Sequence, residues 1–514
     1  MLSLLLATVV TIDASANRHP ISPLIYGVNF ATSEQLEELN APLNRRGGNA
    51  TTRYNWQANA TNHASDWYFE SLEEESGIAG DDADRFVDAS HAGGAEPMIT
   101  IGMLGWVARL GSNRQRLASF SVGKYGSQTD RDWQWFPDAG NGVRASDGKR
   151  VTGNDPNDAN LPADALFQQA WVRHLVESDV HWYMLDNEPS IWHETHRDVK
   201  PSGATMEEMR AKTIDYASRI READPNAKIC GPEEWGWLGF LYSGADQQYA
   251  AAHGWSSFPD HAAHGNVDFI PWYLRETRGS IDALTVHWYP QSGEFSDDTS
   301  PSMQAHRNRS TRSLWDRNYK DESWIDTKVY LIPRLHEWVD ANAPGVLTGI
   351  TEYNWGAEHH MNGATAQADV LGIFGREALD LANRWTTPDR STPAYLAMRM
   401  YRNYDGAHST FGDVSVRATS PDPDHVAVFA AMRSNDGALT VMIVAKDASG
   451  TATVDLQIAN FSFATAQVWQ LANGAIARKA DATSPTITVP APSVTLVVVP
   501  RATTGARRRA AGRG

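Results

Sequence analysis

The stretches YMLDNEPSIWHETHRD (residues 183–198) and GITEYNWG (residues 349–356) each put a glutamate where an apolar, β-prone run ends. A strand needs only a turn residue to finish. Here Glu188 follows Asn187, and Glu352 is followed by a tyrosine, an amide and a tryptophan. Two carboxyl groups brought face to face can split a glycosidic bond: one protonates the departing oxygen while the other attacks the anomeric carbon. Asn187 is then placed to hold the sugar's 2-hydroxyl. Neither peptide is rare, so the reading depends on whether the chain brings the two together.

The elements that would do so are legible. Between residues 24 and 390 eight short β-prone runs recur: LIYGVNF, LNRRGGN, PMITIGM, HWYMLDNEP, AKICGPEEW, DALTVHWYP, VLTGITEYNW and ALDLANRW. Helical patterns lie between several of them. In TMEEMRAKTIDYASRIREAD, Met206, Met209, Ile214, Ala217 and Ile220 recur at helical spacing opposite a charged face. Eight strand–helix units predict a parallel (β/α)8 barrel with its function at the C-terminal strand ends. Asn49, Glu188, Glu233, His287, Glu352 and Trp385 all fall at such ends, which in a barrel converge on one mouth. After residue 405, alternating or apolar strands separated by Gly, Asn, Asp and Ser predict an antiparallel β-sandwich. The expected organisation is residues 1–20 as a strand joining the sandwich, 21–404 as the barrel, 405–501 as the sandwich and 502–514 as a disordered basic tail.

Composition narrows the partners. The 514 residues carry a net charge of −17, which argues against nucleic acid or an anionic membrane and leaves a neutral ligand comfortable. Cys230 is the only cysteine, so no intrachain disulfide forms and a small buried residue is expected. Nineteen tryptophans, among them Trp192, Trp288, Trp355 and Trp385 near strand ends, offer flat faces to sugar rings. HETH (193–196) spaces its histidines three apart, not the four of a zinc-protease helix. Residues 147–160, DGKRVTGNDPNDAN, form a Gly-rich loop of oxygen ligands suited to calcium. No basic segment precedes the first apolar patch, so no export signal is evident.

The motifs RRGGNATTRYNW, DNEPSIWHETHRD, GPEEWGW, VHWYPQ and GITEYNWGAEHHMNGATAQADVLGIFGREALDLANRW together resemble glycoside hydrolase family 44, endo-β-1,4-glucanases that include xyloglucanases. The resemblance implies a barrel with an appended sandwich, hydrolysis with retention, Glu188 as acid/base and Glu352 as nucleophile. It places Arg45, rather than Arg46, at the active-site arginine position. It also implies structural calcium, with Glu70, Asp155 and Asp158 as candidate ligands, and no cofactor for the chemistry. Arg45, Asn49, Asn187, Trp192, Glu233, His287, Trp288, Tyr289, Trp355 and Trp385 are the expected substrate-binding set, with His287 and Tyr289 also placed to orient Glu352. A secreted monomer acting on β-1,4-glucan polysaccharide is expected. The alternatives are a barrel that only grips glucan and a metallohydrolase built on the His-rich loops.

Overall fold

The computed structural model describes residues 7–501, so the first six residues and the expected tail at 502–514 lie outside it. Eight parallel strands close into a barrel in chain order: β1 Gly27–Asn29, β2 Leu43–Arg46, β3 Glu96–Ile101, β4 Trp182–Leu185, β5 Lys228–Glu234, β6 Ala283–Trp288, β7 Leu347–Tyr353 and β8 Leu381–Arg384. Their residues are almost all buried, as a parallel sheet covered by helices requires. Cys230 lies in β5, fully buried.

The helix between β4 and β5 shows how the outer ring is built. Met206–Ala223 is capped by Thr205, whose side chain accepts from the Glu208 amide; Glu207 and Glu208 sit in its first turn and Arg221 in its last, each favouring the helix dipole. Met206, Met209, Thr213, Tyr216, Ala217 and Ile220 face the barrel. Ile214 does not: it is 39% exposed, because the buried stripe runs through its neighbour Thr213, whose hydroxyl meets Tyr273.

The second unit is a ten-stranded sheet folded over its own apolar core. Thr8–Asp13 lies between Val414–Thr419, antiparallel to it, and Thr451–Ala459, parallel to it. One pairing in an otherwise antiparallel sandwich is therefore parallel. The strands Leu439–Ala445 and Ser493–Val499 are buried at every residue. Their reading as LTVMIVA and SVTLVVV, without polar alternation, follows from that: one face meets the sandwich core and the other packs on the barrel helix Met361–Arg376. Gly372 of that helix gives room for Phe429, whose ring a Cβ there would strike at 2.2 Å. Lys446 of the sandwich reaches Asp369 of the same helix at 2.6 Å, both side chains buried. Among the described residues no helix is long and apolar enough to cross a membrane.

Candidate active site

Glu188 and Glu352 meet at the C-terminal mouth of the barrel. The nearest oxygens of the two carboxyls and a ring nitrogen of His287 all lie within 4.8 Å of one another. Both glutamates are held from below. Arg45 donates from Nη1 to Glu352 Oε1 at 2.7 Å, and Tyr289 donates its hydroxyl to Glu352 Oε2 at 3.0 Å. His287 Nδ1 is 2.9 Å from Glu188 Oε1 and 3.5 Å from Glu352 Oε2, so one N–H faces both carboxyls.

Glu233 is the keystone of this floor. It is fully buried and accepts from Arg45 Nη2 at 3.2 Å, His287 Nε2 at 3.2 Å, Thr285 Oγ1 at 2.5 Å and Thr351 Oγ1 at 2.6 Å. Burial works against its charge, but Arg45 and His287 outweigh burial and hold the carboxyl below its ordinary value. The same balance acts on His287. Burial pushes the imidazole down, while Glu352, Glu188 and Glu233 pull it up to about 9, so it is an imidazolium at neutral pH. Glu188, His287 and Glu352 have the spacing of metal ligands, but a protonated ring has no lone pair to give a metal.

Local backbone chemistry explains how these groups turn inward. Strand alternation sends Arg45 into the barrel and Arg46 outward, to Asp82 at 2.6 Å and the Tyr54 ring. Gly47 lets the arginine fold under the mouth, since a Cβ there would lie 2.3 Å from the Arg45 guanidinium carbon. Gly48, at φ +85°, clears the Trp385 ring. Two irregularities finish the floor. The register between β5 and β6 skips Glu233, and that between β6 and β7 skips Thr351. A bulge re-aims a side chain, and the two bulged residues bond each other. Glu188 and Glu233 also sit at φ +46° and +57°, left-handed backbone that is uncommon for a non-glycine residue. Replacing Gly47 by alanine is expected to cost about 1–3 kcal/mol by overpacking and to lower kcat by displacing Arg45; thermal denaturation and turnover measured on the same preparation check both.

Of the remaining expected contacts, Asn187 is buried at 2% exposure, while Asn49 and Trp385 are partly exposed. Asn187 donates to Asn49 Oδ1 at 3.1 Å, and Asn49 donates onward to Asp66 at 3.1 and 3.2 Å. Trp385 is half-buried beside the exposed Phe30, ring centroids 5.7 Å apart. Three tryptophans are not at the surface. Trp192 is wholly enclosed and bonds the Asn187 carbonyl, Trp288 packs on Phe240, and Trp355 donates to Ser310. They are corrected to packing residues, because no ring face is open to a sugar. Arg45, Glu233 and His287 are likewise buried, so they act on the carboxyls rather than on a ligand. The aromatic surface lies elsewhere. A hollow of about 790 Å³ beside the Glu188 loop is lined by Trp235, Trp237, Tyr242, Trp255, Phe258 and Trp324.

Sequence reasoning missed Asp186, Thr285 and Thr351, and read Glu234 only as a rival carboxylate beside Glu233. Asp186 accepts from Thr52 Oγ1 at 2.6 Å and from the Asn187 amide at 2.8 Å, bracing the turn into Glu188. Glu234, buried and raised well above its ordinary value, meets Ser190 in the turn after Glu188. The signal available was adjacency: each lies within two residues of a singled-out position.

The candidate calcium ligands do not converge. Asp158 is taken by Lys124 and Tyr125, both at 2.5 Å, and Asp155 caps the following turn at Asn157. Glu70 is different. It is fully buried, neither oxygen has a hydrogen-bond partner, and Asp132 lies beside it; burial, then Asp132, raise it to about 8. In HETH, Glu194 pairs with Arg150 on the surface while His196 is sealed in the interior.

A (β/α)8 barrel that carries two facing carboxyls at its mouth and a β-sandwich at its back is the architecture of a barrel glycoside hydrolase. The sequence profile of glycoside hydrolase family 44 matches residues 60–292. Endoglucanase A of Paenibacillus lautus is 31% identical over 468 residues, 84% of this chain, and the chain spans 63% of that protein's length. CelM2, a bifunctional glucanase-xylanase from a metagenome library, superposes with a TM-score of 0.94 at 55% identity, covering 96% of this chain and 99% of the other. A family 44 xyloglucanase of Paenibacillus polymyxa superposes at 0.77 with 25% identity, covering 96% and 99%. The chain belongs to glycoside hydrolase family 44.

Proposed function

We propose that this chain is an endo-acting β-1,4-glucanase that hydrolyses with retention of configuration. The carrying observation is the spacing of Glu188 and Glu352. Retaining enzymes hold their carboxyls about 5–5.5 Å apart and inverting ones about 6.5–9.5 Å, to admit a water; nearest oxygens within 4.8 Å favour the first. Glu188 gives its proton to the glycosidic oxygen as a Glu352 oxygen bonds the anomeric carbon and the chain departs. Glu188, now a carboxylate, takes a proton from water; the hydroxide attacks the same carbon and frees Glu352. Arg45 and Tyr289 each bond one Glu352 oxygen and hold it aimed.

The His287 N–H serves whichever carboxyl carries charge: Glu352 before the first step, Glu188 in the covalent intermediate. Asn187, steadied by Asn49, faces the 2-hydroxyl, and Trp385 offers a ring to the sugar at the centre. The named activities of the relatives, endoglucanase, glucanase-xylanase and xyloglucanase, support a β-1,4-linked polysaccharide. Such a polymer does not cross a membrane, so the enzyme works outside the cell. A barrel that merely gripped glucan would have no use for an imidazolium shared by two carboxyls. A fluorinated glycoside inactivator should label Glu352, and NMR should show the β-anomer as first product. First appearance of the α-anomer would overturn retention.

A structural calcium belongs to Glu70 and Asp132 rather than to Asp155 or Asp158, because of the three candidate ligands Glu70 alone has buried oxygens with no hydrogen-bond partner. Its part would be to neutralise two carboxyls and anchor their loops. Calcium is expected to raise the melting temperature at pH 8, and Glu70→Gln to abolish that response. Equal calcium stabilisation of the variant would remove Glu70 as a ligand.

A further inference from the structure

We infer that Trp133 and Trp135 form a remote sugar platform, which takes the glucan chain beyond the catalytic centre on the side of the loops after β2 and β3. The inference rests on the glucan reading above. These two indoles are 69% and 57% exposed, the most exposed tryptophans of the chain, ahead of Trp255 and Trp324. An exposed tryptophan on a slack loop would mean little. This loop is held. Asp132 is buried and accepts from the backbone amides of Gln134, Trp135 and Phe136 at 2.8–3.3 Å, which fixes the turn carrying both rings. The Arg131 guanidinium lies 3.7 Å over the centre of the Trp133 ring, setting its orientation and bringing N–H donors to its rim. Trp135 stands 5.2 Å from Trp67, and Tyr68 bonds Asp130 of the same loop at 3.0 Å.

That contact with Trp67 joins the platform to the site. The turn Ala64–Trp67 lies against Trp192–Thr195, the turn that follows Glu188. Asp66 bonds Asn49, Asn49 bonds Asn187, and Asn187 precedes Glu188. The aromatic hollow at Trp255 and Trp324 belongs to the loops after β5 and β6, across the mouth in barrel order. Aromatic surface thus extends from the carboxyl pair in two directions, as a long neutral chain crossing the mouth requires. Each pyranose presents an apolar C–H face for an indole and hydroxyls for flanking donors such as Arg131.

The test is affinity electrophoresis in gels cast with soluble xyloglucan or carboxymethylcellulose, which reads binding without turnover. The wild-type chain should be retarded. Trp133→Ala with Trp135→Ala should lower apparent affinity about fivefold or more, and the paired Phe replacements should recover part of it. Unchanged melting temperatures show that the variants are folded. In turnover, the ratio of kcat/KM on polymer to that on an aryl cellobioside should fall by a similar factor, carried by KM. Unaltered retardation and an unaltered ratio in the double Ala variant overturn the platform. Retardation that depends on both tryptophans, in a protein releasing no reducing ends, keeps the platform and overturns the catalytic reading instead.

Discussion

Glu352→Ala is expected to lower turnover on β-1,4-glucan by on the order of 10⁴-fold or more, the scale on which removing a nucleophile acts. The loss should be nearly complete because no neighbour can replace it. Glu233 is sealed under four donors, and Glu234, which burial raises well above its ordinary value, is turned to Ser190. The space vacated lies beneath the anomeric carbon, so azide added with an activated aryl glycoside should enter from that face and yield an α-glycosyl azide. Glu188→Gln should differ in kind. Polysaccharide needs its leaving oxygen protonated, which contributes about 10²–10⁴-fold, whereas a good aryl leaving group does not. Azide should then intercept the covalent intermediate and give the β-azide. Product stereochemistry by NMR separates the two roles; the same azide anomer from both variants would contradict the assignment.

Glu233→Gln is expected to destabilise the barrel by about 3–5 kcal/mol, as breaking a buried ion pair does. The amide is nearly isosteric, yet its NH2 must face at least one of the donors from Arg45, His287, Thr285 and Thr351. The pH dependence gives a second readout. His287 is raised to about 9, above its ordinary 6.5, so its share of stability is full below pH 6.5 and is lost as pH rises through about 9. Activity should fall over the alkaline part of that window, when the shared N–H loses its charge. Removing Glu233 takes away one of the three carboxyls that raise His287, so the alkaline limb should move to lower pH. A variant with unchanged melting temperature and limb would show that the buried glutamate does neither job.

The eight barrel strands were readable because each is a short apolar run closed by polar residues, and a parallel barrel puts all those closures on one side. Glu188 and Glu352 were readable for the same reason. Which way a side chain turns past the strand end was not. Trp288 and Trp385 look alike in sequence, each one step from a turn, but Phe240 covers the first while Gly48 leaves the second its space. Glu233 reads as a rim residue and is in fact sealed below it, because the bulge at its own position breaks the alternation used to aim it. Asp155 and Asp158 sit in a loop of the right composition, and the lysine that occupies Asp158 comes from more than thirty positions away.

The strand Thr8–Asp13 closes the sandwich by pairing Thr11 with Thr419. On the ribosome this strand emerges well before its partners, with the whole barrel between them. At about 5–20 residues per second, it waits on the order of 20–80 s for something to pair with. Its alternation supplies the protection for that interval. Val10 and Ile12 are the core-facing members, and Thr11 and Asp13 bring polar groups to the opposite side, beside the exposed Val9. The barrel can form in the meantime, but the sheet cannot settle until Val414–Thr419 and Thr451–Ala459 have been made. Slowing translation after residue 405 should therefore leave a nascent chain whose barrel resists protease while its first strand is still cut.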